Sequence, residues 1–94
     1  MIRKRIINVV SIEKIIRAFA NLKRLDILEL LKGSPDLSVA DISERLRVDY
    51  KLTSSHISKL SIAGLVSKKH RGPAVLHKLT KRGDVILMFV RTLE

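Results

Sequence analysis

The apolar residues of this chain change their spacing twice, and that change limits the folds open to it. Up to residue 63 they recur at helical intervals. From 65 to 80 they alternate, and from 81 onward they return to a nearly continuous helical run. The expected order is therefore several helices, one β-hairpin and a final helix.

The first helix is expected over residues 11–20. Ser11 stands at its cap, and Ile12, Ile15, Ile16 and Phe19 lie at i, i+3, i+4 and i+7. Residues 2–10 extend it as helix or strand; the pattern fits either. Asn21 is placed to cap a second helix over 22–32. Leu22, Leu25, Leu28 and Leu31 form its broad face, flanked by Ile27 and Leu30, and Gly33 and Pro35 stop it. Leu37 stands alone before a cap as a candidate very short strand. Ser38, with Asp41 three residues on, has the spacing of a capping box and begins a third helix over 39–46. After a short turn at Arg47-Val48, Asp49 caps a fourth helix running to about residue 63. Its inward positions are Thr53, Ile57 and Leu60, and Gly64 ends it.

Strands are expected over 65–71 and 74–80, around a two-residue turn at Gly72-Pro73. That turn pairs Arg71 with Ala74, Lys69 with Leu76 and Ser67 with Lys78. One side of the ribbon then carries Lys69, Arg71 and Lys78. The other carries Val66 and Leu79 toward the core, with Lys68 and His70 further out. Thr80 caps the last helix, about 81–93, whose stretch from Val85 to Val90 is apolar nearly all round.

Charge gives the partner. The chain carries 19 basic and 9 acidic residues, a net charge of +10. Residues 47–82 alone hold nine basic residues against one acid, Asp49, which is the footprint of a polyanion binder. With Thr53, Ile57 and Leu60 inward, the outer face of the fourth helix presents Tyr50, Lys51, Leu52, Ser54, Ser55, Ser58 and Lys59. Hydroxyls and lysines meet base edges and phosphates, and Leu52 is suited to a thymine methyl. Lys68, Lys69, Arg71 and Lys78 add a cationic hairpin for phosphates or the minor groove.

Two short helices joined by a tight turn and followed by a basic hairpin outline a winged helix-turn-helix. The chain also resembles ArsR-type repressors. Residues 20–31, from Ala20-Asn21 through Arg24-Leu25 to Leu30-Leu31, are similar to the family's "A-N-x-x-R-L-x-I-L-x-L-L" opening. Residues 37–46 resemble its third helix. Thr53 to Leu60, with Ala63-Gly64-Leu65-Val66, resembles the recognition helix and its exit. Leu79-Thr80-Lys81-Arg82-Gly83 resembles the "L-T-x-x-G" of ArsR-like and MarR-like proteins. The resemblance implies a dimeric regulator that binds double-stranded DNA, with residues 49–63 reading a palindromic operator and the wing 66–80 gripping it. The family usually has Gly where this chain has Arg47, which implies a less sharply bent turn. The metal-sensing members carry Cys near the third helix or an Asp-x-His pair on the last. This chain has no Cys, and Asp84 is followed by Val85 and Ile86, so metal sensing of that type is not expected.

The remaining classes are narrowed by elimination. Without cysteine there is no disulfide, thiolate nucleophile or cysteine-held zinc. His56, His70 and His77 form no i, i+4 pair; His56 is placed on the surface of the fourth helix and His77 within the hairpin. No nucleophile, base and orienting acid can be assembled, and no Gly-rich phosphate loop is present, since Gly33, Gly64, Gly72 and Gly83 are read as caps and turns. An enzyme, a metal and a cofactor are therefore not expected. Apolar runs fall short of the about 18 residues that span a bilayer. Asn8, Glu13 and Lys14 interrupt the N-terminal stretch too soon for a signal peptide. The expected site of action is the cytoplasm.

The fold class expected is mainly α with a small hairpin: one domain over 1–94, about five helices and a two-stranded wing. Ile12, Ile15, Ile16 and Phe19, together with Val85, Ile86, Phe89, Val90 and Leu93, exceed what so small a core can bury, and Met88, Ile2, Ile6 and Ile7 add to them. They mark the terminal helices, about 2–20 and 81–93, as a homodimer interface. A winged helix serving protein–protein or RNA contact within a larger assembly is the alternative. A ligand-sensing role has no pocket to support it in the sequence.

Overall fold

The computed structural model describes residues 8–94. Among these it contains five helices, α1 (Val9–Phe19), α2 (Leu22–Gly33), α3 (Val39–Leu46), α4 (Tyr50–Ile62) and α5 (Lys81–Arg91), and one antiparallel pair, β1 (Val66–Arg71) and β2 (Ala74–Leu79). This is the mainly helical winged helix-turn-helix architecture expected. Residues 2–7, with Ile2, Ile6 and Ile7, lie outside the described part.

Local polar chemistry sets most helix starts. Asn21 accepts from the Arg24 N–H at 3.2 Å. Ser38 and Asp41 form a reciprocal capping box, both bonds at 3.1 Å. Asp49 accepts from Leu52 N–H at 3.0 Å, and Thr80 from Gly83 N–H at 3.0 Å. Each satisfies an amide that the helix itself leaves free. The first helix departs from expectation. Asn8, not Ser11, caps it, because the apolar pattern extends one turn back through Val9 and Val10. It also stops at Phe19, with Ala20 as its C-cap. Gly33 is the last residue of α2 rather than its stop, and α5 ends at Arg91.

The core comprises Ile27, Leu28 and Leu31 of α2, Ile42 of α3, Ile57 and Leu60 of α4, Leu65 and Val66 at the wing's start, and Leu87 of α5, with Leu37 closing one end. Leu22 does not join it. It is 71% exposed, because the buried stripe of α2 runs through Ile27 instead. Arg47 ends α3 in the left-handed conformation, φ 55°, so the α3–α4 turn is as tight as a glycine would make it, with Val48 N–H bonded to Ser43 O at 3.1 Å.

The hairpin register is the expected one: Arg71 faces Ala74, Lys69 faces Leu76 and Ser67 faces Lys78. Gly72 takes φ 58° ahead of Pro73, the residue order of a II′ turn. Leu37, expected as a very short strand, forms an isolated bridge with His77. The bridge is completed by His77 N–H to Leu37 O at 2.8 Å and by the ring Nδ1 on the same carbonyl at 2.9 Å.

Gly83 is neither cap nor turn. It lies inside α5, fully buried, where a Cβ would collide with the Leu65 carbonyl. Across the domain, α2 and α5 are further joined by Arg91 on the Glu29 carboxylate (2.8 and 3.2 Å) and by Lys32 on Asp84 (2.6 Å). These exposed pairs add little stability.

Candidate nucleic-acid interface

Helix α4 has two unlike faces. Thr53, His56, Ile57 and Leu60 are buried. Tyr50, Lys51, Leu52, Ser54, Ser55, Ser58 and Lys59 are all exposed. Among the described residues no side-chain hydrogen bond engages the hydroxyls of Ser54, Ser55 or Ser58, which leaves them available to an external partner. Within residues 47–82 the one acid is the cap, Asp49, whose carboxylate is turned to the helix amide.

The wing continues the charge. Lys69, Arg71 and Lys78 are exposed on one side of the ribbon, while Lys68 is exposed on the side of His77. The two groups therefore flank the ribbon rather than forming one patch.

Two buried histidines brace this surface, and they use opposite tautomers. His56 is not at the surface; only 7% of it is exposed. Its Nδ1 accepts from Arg24 Nε at 3.0 Å, so its proton sits on Nε2. Arg24 also donates to the Ala18 carbonyl at 3.2 Å, which ties α1, α2 and the back of α4 together. His77, placed in the hairpin as expected, faces a carbonyl with Nδ1, so that nitrogen carries its proton. Sequence reasoning missed the Arg24–His56 pair because its partners lie 32 positions apart. Its one signal was a histidine next to Ile57 on an otherwise apolar stripe.

Both rings are held neutral below the usual imidazole pKa of about 6.5. For His56 burial acts first, followed by repulsion from Arg24, Lys59 and Lys23. For His77 burial outweighs the opposing pull of the Leu37 carbonyl and is joined by Lys68. The unfolded chain therefore binds more protons than the folded one as pH drops. The stability from both rings is fully present above about pH 6.5 and is lost as pH falls through their lowered folded values. The urea midpoint is expected to be lower at about pH 5.5 than at about pH 7.5. Equal midpoints would show that neither ring is held neutral by the fold.

A family model described as "Bacterial regulatory protein, arsR family" matches residues 21–68, which is α2 through the first half of β1. The chain belongs to the arsR family of bacterial regulatory proteins. Solved structures agree with that placement. HlyU from Vibrio cholerae is similar at 27% identity and a TM-score of 0.79, covering 95% of this chain and 97% of that one. The homodimeric winged helix-turn-helix DNA-binding domain of Mb0332 from Mycobacterium bovis shares the fold at 21% identity and a TM-score of 0.82, over 90% of this chain and 79% of that one. A predicted DNA-binding transcriptional regulator from E. coli shares it at 21% identity and a TM-score of 0.76, over 90% of each chain. No curated protein sequence matches significantly. The family and fold of this arsR-family protein are those of DNA-binding transcriptional regulators, not of enzymes. Among the described residues no three His, Asp or Glu side chains gather as a metal site, and no helix is long and apolar enough to cross a membrane.

Proposed function

We propose that this arsR-family protein is a homodimeric repressor that binds a palindromic operator, with α4 in the major groove and the wing on the flanking backbone. The observation that carries the reading is the outer face of α4. Its hydroxyls and lysines run into a cationic ribbon over residues 47–82, where the only acid is an occupied helix cap. In this reading Tyr50, Lys51, Leu52, Ser54, Ser55, Ser58 and Lys59 contact the groove, and Lys68, Lys69, Arg71 and Lys78 contact phosphates. The whole chain acts as one domain in the cytoplasm, and repression follows from occupying promoter DNA.

The dimer reading rests on exposed apolar surface. Ile12 and Ile16 on α1, and Val85, Met88, Phe89 and Leu93 on or after α5, are between 36% and 69% exposed, more than scattered surface residues explain. Ile15, Phe19 and Ile86 divide their contacts, being partly buried against the core; Val90 is half-buried. They would line the inner edge of the interface. A two-fold dimer sets two reading helices about 34 Å apart, one turn of DNA.

The test uses operator DNA selected from a random pool and measures affinity against salt. Ser54→Ala or Ser55→Ala is expected to cost ~1–3 kcal/mol on the selected site and much less on random DNA. Lys69→Ala or Arg71→Ala should weaken both DNAs alike and flatten the log K against log salt slope by about 1. Serine variants that lose equally on both DNAs, together with wing variants of unchanged slope, would remove this surface from the interface.

A further inference from the structure

A groove of about 520 Å³ opens between α1, the end of α4 and the start of α5. Its size is that of a small-molecule site. The apolar lining is made by Ile15 and Ala18 of α1, Ile62 at the end of α4 and Ala63, its C-cap. Ile62 stands at the edge of this lining, 85% exposed. The rim is cationic: Lys14 and Arg17 from α1, Arg24 from α2, Lys59 from α4 and Arg82 from α5. Among the described residues no carboxylate lines it. Arg17 is engaged by Glu13 at 3.1 Å.

Two of these cations are already held in place. Arg24 is fixed by His56 and the Ala18 carbonyl, and Arg82 donates to the Ala63 carbonyl at 3.0 Å. Pre-positioned guanidinium groups suit a carboxylate, which takes paired N–H bonds. The apolar lining argues against a DNA phosphate as the occupant, because a phosphate gains nothing from Ile15 or Ile62. A second copy of the chain is disfavoured by helix geometry. Ser11, Lys14 and Ala18 face the groove about a third of a turn or more from Ile12 and Ile16, the exposed residues of the face assigned to the dimer, and Ile15 stands between the two faces. A dimer made through Ile12 and Ile16, with Ile15 at its inner edge, leaves the Ser11, Lys14 and Ala18 side of the groove uncovered.

We infer that this groove binds a small amphipathic organic anion, a carboxylate with an apolar body, and that its occupancy weakens operator binding. The second half rests on the DNA-binding reading above. The bound carboxylate neutralises Lys59 on the reading helix and draws on Arg24, the residue that braces His56 behind that helix. The anion thereby couples α1 to α4.

The probe is octanoate, titrated into the full chain without DNA and followed by amide chemical shifts and calorimetry. Octylammonium and inorganic phosphate serve as controls. Saturable binding with shifts confined to α1, the end of α4 and the start of α5 is expected, with neither control binding there. Lys14→Gln and Ile62→Gln, both exposed, are expected to lower octanoate affinity by about tenfold and fivefold while leaving DNA affinity without octanoate unchanged. No saturable binding, equal binding of octylammonium, competition by phosphate, or wild-type affinity in both variants would each overturn the site. Operator affinity measured with and without octanoate tests the coupling separately, and insensitivity to octanoate overturns that half alone. Octanoate binding by a protein that ignores DNA would leave the site standing and remove the repressor reading.

Discussion

Phe89→Glu is expected to convert a dimer into monomers in sedimentation at micromolar concentration and to lower affinity for a full operator by about 10²–10⁴-fold. Phe89 stands with Val85 and Met88 on the side of α5 opposite Gly83 and Leu87. It is 55% exposed, so the substitution leaves the folded core intact. In the proposed dimer the same position faces its own symmetry mate, which puts two carboxylates in one apolar seam. The affinity loss arises because two linked reading helices bind the second half-site as an intramolecular event, and monomers forfeit that gain. Affinity for an isolated half-site should change little. Wild-type protein that sediments as a monomer would refute the dimer before any variant is made.

Gly83→Ala is expected to destabilise the fold by about 2–3 kcal/mol, which lowers Tm by about 10–20 °C for a chain of this size. The sign is the informative part. Alanine in place of an interior helical glycine ordinarily stabilises by about 1 kcal/mol. Here the new Cβ would meet the Leu65 carbonyl and come within 2.7 Å of Leu79 Cδ1. Neither neighbour can retreat easily. The Leu65 carbonyl accepts from Thr80 N–H at 3.1 Å, and Thr80 in turn donates its hydroxyl to the Gly64 carbonyl at 2.6 Å. Gly33→Ala is the control. Nothing lies within 4 Å of its would-be Cβ, so that variant should melt at or above wild type. A Gly83→Ala protein that melts with the Gly33→Ala control would mean that α5 is not seated on the exit of α4.

What could be read from the sequence was what is local or periodic. The Ser38–Asp41 box, the Asn21, Asp49 and Thr80 caps and the strand register depend on residues within a few positions of one another, and each stands as expected. The outer face of α4 follows from Thr53, Ile57 and Leu60 alone. Two of the misreadings involve partners distant in the chain. His56 looked superficial because Arg24, which compensates its burial, belongs to another helix. Gly83 resembled a cap because the carbonyl it must clear belongs to Leu65, eighteen residues earlier. Leu22 fits the leucine stripe of α2 by spacing, but it stands at the first turn, beyond the reach of the core. Arg47 was read against the glycine usual at that turn, yet an arginine adopts the same left-handed backbone when flanking hydrogen bonds hold it there. The groove beside α1 has no signature at all, since four helices contribute its walls.

The Leu37–His77 bridge has a mechanical consequence. It fastens the base of the wing to the loop that leads into α3, and α3 is locked to α4 by the Arg47 turn. Ribbon and reading helix are linked through these contacts, and they are expected to move together as a single jaw. In the proposed dimer two such jaws form a clamp, and a signal would act by altering the gap between them rather than the shape of either. Its trace would be a changed preference for the number of base pairs separating two half-sites, with the sequence preferred within each half-site left as it was.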